Sequence, residues 1–252
     1  MLNFQCVQRF FRAFRHFLPQ MLQTFPFLHH LEYAIYANRK SGIITTDYTR
    51  LAARTAVSNE SVPIEGDKTV MKEKTIFLAG GCFWGLQKFF DQFDGVLFTE
   101  AGYANGPEQA DGSVQPPSYE DVCENSGHAE TVKVVYDEEK ISLRQLLKYY
   151  FLVIDPLSVN RQGADCGIQY RTGIYYTDED QLPEIREVYD QKEKNVGEKL
   201  AVELEPLRNF YSAEEYHQKY LEKHPGGYCH IRGSYFTIEK WTDEEKEAAG
   251  LK

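Results

Sequence analysis

From Lys72 onward the apolar residues fall into short runs that switch between two periods. Thr75-Ile76-Phe77-Leu78-Ala79 is a strand run, and the apolar positions from Phe83 to Phe93 recur at helical spacing. Gly95 to Tyr103 reads as a second strand. His128 to Tyr136 alternates through Val132, Val134 and Tyr136, which predicts a half-buried strand with Glu130 on the face of those three residues. Ser142 is placed to cap a helix carrying Leu143, Leu146, Leu147 and Tyr150, with Pro156 beyond its end. After an irregular stretch from Asp155 to Tyr170 comes the strand Thr172 to Tyr176, and then a charged helix from Thr177-Asp178 to about Lys194. Val202-Glu203-Leu204 is a short strand, and Ser212-Ala213-Glu214-Glu215 matches a capping box for a helix to about Glu222. Strands separated by modest helices predict an α+β domain. The loop from Asn105 to Pro117, broken by Gly106-Pro107, Asp111-Gly112 and Pro116-Pro117, is a possible rim for a site.

Residues 1–70 have another character. Phe10, Phe11, Phe14, Phe17 and Leu18 recur near helical spacing with arginines between them, and no acidic residue precedes Glu32. The tract therefore resembles a membrane-surface helix or part of a targeting sequence, but fits neither a secretory nor a transit peptide cleanly. It reads as an N-terminal extension, disordered, targeting-like or an over-extended reading frame, ahead of a domain spanning 71–252. No run of about eighteen apolar residues suggests membrane insertion.

The 252 residues are 42% hydrophobic, enough for a real core, and carry a formal charge of −10 without a clustered basic face after Met71. That balance excludes a general nucleic-acid binder. Five widely spaced cysteines, Cys6, Cys82, Cys123, Cys166 and Cys229, do not make a disulfide framework and suit a reducing compartment. Cys166, His224, Cys229 and His230 leave a minor zinc reading open; the main expectation is no metal.

The chemistry concentrates at Ala79-Gly80-Gly81-Cys82-Phe83-Trp84-Gly85, where a strand runs through two glycines into a helix. A cysteine opening a helix meets free N–H groups and the positive end of the dipole, which predicts a stabilised thiolate. Phe83 and Trp84 supply an apolar wall suited to a small greasy group. Taken by themselves, the same residues also suit a buried core cysteine among packing aromatics.

These seven residues resemble the signature of the A-type peptide-methionine sulfoxide reductases. Further matches follow in order at Gly102-Tyr103, Ser118-Tyr119-Glu120-Asp121-Val122-Cys123, Gly127-His128-Ala129-Glu130, Asn160-Arg161-Gln162-Gly163-Ala164-Asp165, Gln169-Tyr170-Arg171 and Gly226-Gly227-Tyr228-Cys229. The resemblance implies a split βαβ, ferredoxin-like core with a mixed sheet, flanking helices and a long loop-rich C-terminal segment. It implies thiol-dependent reduction of methionine S-sulfoxide, free and in proteins, and hence protein repair under oxidative stress, with no bound cofactor. By the same resemblance Cys82 is the nucleophile and Glu130 the acid. Tyr119 and Tyr170 orient the sulfoxide oxygen, Asp165 assists through water, and Phe83 and Trp84 hold the substrate methyl group. Alone, Glu130 would read as a solvated strand glutamate and the tyrosines as core.

Cys229 is the implied resolver of the Cys82 sulfenic acid, on a segment loosened by Gly226 and Gly227, and Cys166 is its rival. No cysteine follows Cys229, so the relay of one family branch is missing, and the Cys82–Cys229 bridge would itself meet thioredoxin or an equivalent reductant. Cys123 reads as a buried thiol, and His128 as structural on the strand face opposite Glu130. The remaining expectations are a monomer in the cytoplasm, or in an organelle if residues 1–70 are a transit peptide. The competing function is a thiol redox sensor that forms a disulfide without turning over sulfoxide.

Overall fold

A computed structural model describes residues 72–107 and 115–251. Residues 1–70 and the tip of the 105–117 loop lie outside that range. The first helix and its neighbours arise where the pattern sets them. Strand β1 (Glu73–Gly80) runs into α1 (Phe83–Phe90), followed by β2 (Val96–Ala104), α2 (Tyr119–Cys123), β3 (Ala129–Asp137) and α3 (Leu143–Val153). The irregular stretch contains a two-residue hairpin, β4 (Arg161–Gln162) and β5 (Asp165–Cys166), and a 3-10 turn at Ile168–Tyr170. Then come β6 (Thr172–Tyr176), α4 (Leu182–Val196), β7 (Glu203–Pro206), β8 (Phe210–Ser212), α5 (Tyr220–Lys223) and α6 (Asp243–Ala248).

Six strands form one mixed sheet in the order β7-β6-β1-β3-β2-β8, antiparallel except for β6 against β7. The fold is α+β. Its main core lies where α1 and α3 cover the sheet: Leu86, Phe89 and Phe90 from α1 and Leu146, Leu147 and Tyr150 from α3 are all inaccessible, together with Ile76, Leu78, Val132, Val134 and Tyr136 from the strands. Each such large side chain contributes about 1.5–3 kcal/mol on leaving water. A smaller cluster of Phe77, Ala79, Ala104, Ala129 and Tyr175, closed by Leu207 and Phe210, covers the other face. Strand β3 is consequently buried on both faces rather than half-buried, Val132, Val134 and Tyr136 in the main core and Ala129 in the smaller cluster.

Several boundaries depart from the sequence pattern. Helix α1 stops at Phe90, where a turn from Asp91 leads into β2. Asp178 accepts the Asp180 N–H and starts a 3-10 turn before α4, which ends at Gly197 in the left-handed region, φ 78°. The capping box expected at Ser212 does not form. Ser212 closes β8 instead, its hydroxyl donating to Glu100, and only the four residues of α5 are helical in that segment. The same signature does operate at Thr242, whose side chain accepts from Glu245 and starts α6 in the charged tail.

Tyr150 ties the core to the edge where the chemistry sits. Its buried hydroxyl donates to the Ala79 carbonyl at 2.6 Å and accepts from the Gly173 N–H at 3.1 Å, so α3 holds the ends of β1 and β6 together.

Candidate active site

The turn from β1 to α1 is built by close approach. Gly81 has φ +80°, and a Cβ there would lie 2.5 Å from the Gln162 Cβ. Glycine is required twice over, by backbone angle and by space. Gln162 itself is fixed by donating to the Asp155 carbonyl and accepting from the Asp155 N–H, both at 2.8 Å, which lays the β4–β5 hairpin over the turn.

Cys82 caps α1 and is only 7% exposed. The free N–H groups of the helix are shared between two side chains. Phe83 N–H donates to Glu130 Oε2 at 3.0 Å, whereas the Trp84 backbone acts on Cys82 and lowers its pKa. For the thiol this help is outweighed. Burial, and after it the Glu130 charge, push its pKa well above the usual thiol range. The expectation of a stabilised thiolate is therefore not met: Cys82 opens the helix as expected, but burial outweighs the help of the helix start, and the Glu130 charge from β3 adds to it.

Glu130 is 2% exposed, and burial raises its pKa to about 8 against the opposing hydrogen bond from Phe83, with Asp165 adding to the rise. A carboxyl in that state holds its proton at neutral pH and can give it away. Tyr119, Tyr170 and Asp165 converge on the same spot. Burial comes first in raising both phenols; next for Tyr119 is its hydrogen bond with Cys123 and then the Glu130 charge, and for Tyr170 the Glu130 charge, with Cys82 acting on each and Asp165 on Tyr170.

Each phenol is anchored at the backbone. Ser118 and Asp121 form a capping box at α2, and Tyr119 N–H donates to Glu214 at 2.9 Å, the carboxylate that also receives the Tyr103 hydroxyl at 2.7 Å. Arg171, next to Tyr170, donates through Nε to both carboxylate oxygens of Glu203 at 3.0 Å and through Nη2 to the Asn105 carbonyl.

Phe83 and Trp84 form the apolar wall with partners that the sequence did not signal. Trp84 stacks on Tyr220, ring centroids 3.7 Å apart, and its indole N–H donates to His217 Nδ1 at 3.0 Å. His217 is buried against Phe83 and Tyr119 as well. Neither Glu214 nor His217 belongs to a local motif that could have exposed its role; both act across the fold.

Cys229 lies over the first turn of α1. A Cβ on Gly85 would come within 2.7 Å of its sulfur, and its charge is among the influences on Cys82. Both thiols are free. Cys166 is exposed on the hairpin, and Cys123 is exposed too rather than buried, at the end of α2. His128 does not face away from Glu130. With a period of two the pair shares one face, and the His128 ring packs against Gly106 and Tyr211, the cross-strand neighbour of Tyr103, which itself lies opposite Glu130. Among the described residues no group of three or more His, Cys, Asp or Glu is arranged to hold a metal ion, and no helix is long and apolar enough to cross a membrane.

Residues 74–248 match the family model described as peptide methionine sulfoxide reductase. The chain belongs to that family. A peptide methionine sulfoxide reductase of Lachnoclostridium phytofermentans is 53% identical over 168 residues, 66% of this chain and 98% of the relative. One from Clostridium perfringens is 51% identical over 160 residues, 63% of this chain and 98% of its own. Among solved structures, the reduced form of Mxr1 from Saccharomyces cerevisiae superposes with a TM-score of 0.60 at 38% identity, covering 64% of this chain and 91% of that one. Methionine sulfoxide reductase A of Corynebacterium diphtheriae gives 0.56 at 34% identity, covering 62% and 77%. For a member of the reductase family, the pairing of Cys82 with a buried, proton-holding Glu130 is the chemically telling feature.

Proposed function

We propose that Cys82 attacks the sulfur of a bound methionine sulfoxide while Glu130 protonates its oxygen, releasing methionine and leaving a sulfenic acid on Cys82. The activity that goes with the family is thiol-dependent reduction of methionine S-sulfoxide, and the chain is an oxidoreductase of that class. The observation that carries the residue assignment is one helix terminus serving both groups, Phe83 N–H on Glu130 and the Trp84 backbone on Cys82. Once Glu130 is neutral its charge no longer opposes thiolate formation, so protonation of the acid and activation of the nucleophile favour each other. Tyr119 and Tyr170 are assigned as donors to the sulfoxide oxygen, Asp165 as an assistant through water, and Phe83 and Trp84 as the seat of the methyl group.

Cys229 then resolves the sulfenic acid. Its place over α1 supports this, and the resulting bridge would be presented to thioredoxin, with free and protein-bound methionine sulfoxide as substrates. A sensor needs reactive thiols only, and the proton-holding carboxyl with two phenols beside it favours turnover over sensing. The strand order supports a finer reading of the fold: β1 and β2 flank β3 with α1 between them in sequence, as in a split βαβ unit of ferredoxin-like type. Residues 71–252 are the catalytic domain in this reading and 1–70 an extension outside it, on a cytoplasmic monomer or, if the extension directs transport, an organellar one.

Reduction of a methionine S-sulfoxide peptide with dithiothreitol tests the assignment. Wild type should turn over, and Cys82→Ser should give none, since a serine hydroxyl is a poor nucleophile toward sulfur. Activity of the variant within tenfold of wild type would remove Cys82 from the reaction.

A further inference from the structure

The oxygen-transfer step leaves one titratable group in the neighbourhood without a task. His230 follows Cys229 in the chain, and its ring is packed against the turn that carries Cys82: a Cβ on Gly81 would lie 3.2 Å from the ring, and one on Gly163 would lie 3.0 Å from the His230 Cβ. Both ring nitrogens are buried without a hydrogen-bond partner among the described residues. Buried imidazole nitrogens are ordinarily paired, and apart from the Gly80 backbone this ring has no partner, which leaves it open for a task next to Cys229 in the chain and against the turn that carries Cys82.

The recycling step needs a base. Burial holds the Cys229 thiol above its usual range, so at neutral pH it is a protonated and weak nucleophile. It must nonetheless attack the Cys82 sulfenic sulfur and expel an oxygen that leaves poorly as free hydroxide.

We propose that His230 takes the Cys229 thiol proton as that sulfur attacks Cys82 and hands it to the departing oxygen. The inference rests on Cys229 being the resolver. In the step the S–O bond of Cys82 breaks and the Cys82–Cys229 bond forms. Cys229 is oxidised and the sulfenic sulfur of Cys82 is reduced to the disulfide level. The thiol proton passes through the imidazole to the hydroxide, and one water leaves. The oxidising equivalent has already come from the sulfoxide, so no other oxidant is needed.

The surroundings suit a ring that is neutral at rest and briefly protonated. Burial lowers its pKa from 6.5, while the Asp165 charge and the Gly80 backbone favour the protonated form. Asp165 also acts on Cys82, Cys229 and Tyr228, whose hydroxyl interacts with it, and Lys88 acts on Cys229.

The test is a single turnover of the full chain without reductant, quenched with a thiol-blocking reagent, with methionine and the Cys82–Cys229 bridge quantified separately. In wild type, bridge formation should rise with pH along an ionisation below 6.5 and then level off. For His230→Gln the bridge should lag the methionine burst by about 10²-fold at pH 7, a typical contribution of a positioned base. The lag should shrink as pH approaches the ionisation of the thiol, which then needs no base. Bridge formation at the wild-type rate in His230→Gln, or slowing by one factor at every pH, overturns the proposal, the second outcome marking a packing role. Should His230→Gln fail to fold, His230→Asn and the wild-type profile decide, and a wild-type rate that follows the raised ionisation of the Cys229 thiol instead overturns it. Wild type that releases methionine but forms a bridge other than Cys82–Cys229 removes the resolver assignment and this proposal with it, and is recognisable as such because no variant is involved.

Discussion

Cys82 and Cys229 meet at the first turn of the same helix, yet two different kinds of structure hold them. Cys82 stands just past the end of β1, which lies between β3 and β6, on a turn pinned by Tyr150 and pressed by Gln162, with Glu130 on the neighbouring strand β3. Cys229 belongs to an irregular stretch between α5 and the 3-10 turn at Gly233–Lys240, next to Tyr228, which is 46% exposed. The difference fits the chemistry proposed for each. Oxygen transfer asks for fixed geometry and a dry carboxyl, which a sheet supplies. Recycling asks one sulfur to travel until it satisfies the narrow geometry of a disulfide, and then to face another protein, which an irregular surface segment allows.

The strongest way to break this comparison is to remove the proton from the rigid half. Glu130→Gln keeps shape and can still accept from Phe83 N–H, but donates no acidic proton. The reductive step should fall about 10²-fold or more in single-turnover measurements at pH 7. A rate near wild type would end the assignment of Glu130. The same variant carries a pH signature. The Glu130 pKa is raised from 4.5 to about 8, so the folded state binds the proton more tightly and wild-type stability is lost as pH rises through that window. Glu130→Gln has no such dependence. In urea unfolding it should gain on wild type from pH 5 to pH 8.5, and a constant difference across that range would show that the carboxyl is not held neutral by the fold.

How much of each half can be read from sequence follows the same division. The rigid half is local: an apolar run, two glycines and a helix put Cys82 at a turn, and alternation puts Glu130 on the core face. What the local reading misjudges is the thiol, because the burial that opposes its ionisation is made by the whole fold, and the Glu130 charge that adds to it arrives from 48 residues away in the chain. The other half is assembled across the fold. Ser212 and Glu215 carry a capping signature, but the backbone of Ser212 pairs with Gly102 of β2, and Glu214 is occupied by Tyr103 and Tyr119. His217 meets Trp84 across 133 positions of sequence, a contact that no periodicity encodes. The order of family motifs carries the reading there, since Tyr119, Tyr170, Asp165 and Cys229 have no distinguishing local pattern.

A smaller effect is expected where the two halves touch. Gly85 lies inside α1, so alanine raises helix propensity by up to about 1 kcal/mol, yet its Cβ would sit 2.7 Å from the Cys229 sulfur and 3.3 Å from Ile231. The rigid helix should keep its place and the irregular segment should give way. Gly85→Ala is therefore expected to retain the methionine burst while bridge formation slows about tenfold, consistent with the sensitivity of reactions to ångström-scale misplacement. Loss of the burst instead, with recycling no worse, would mean that the helix yields and the Cys229 segment is the firmer of the two.

The smallest effect is expected at Cys166, and it decides which thiol recycling uses. Asp165 and Cys166 are the two residues of β5, so their side chains point to opposite sides. Asp165 is the one turned toward the chemistry, acting on Cys82, Glu130 and Tyr170, and this leaves Cys166 outward, exposed, with its sulfur 3.7 Å from the Ala164 carbonyl. Bringing that sulfur to Cys82 would require turning the hairpin over and breaking the Gln162 contacts that hold it on the Gly80-Gly81 turn. Cys229 needs no such rearrangement, since its sulfur already lies against Gly85. Cys166→Ser should hence keep thioredoxin-driven turnover within about twofold of wild type, as for a surface substitution away from the machinery. Peptide mapping after one turnover should show the same Cys82–Cys229 bridge in the variant. A collapse of thioredoxin-driven turnover with the burst intact, together with a wild-type Cys82–Cys166 bridge, would give recycling to the hairpin and reverse the division between the two halves.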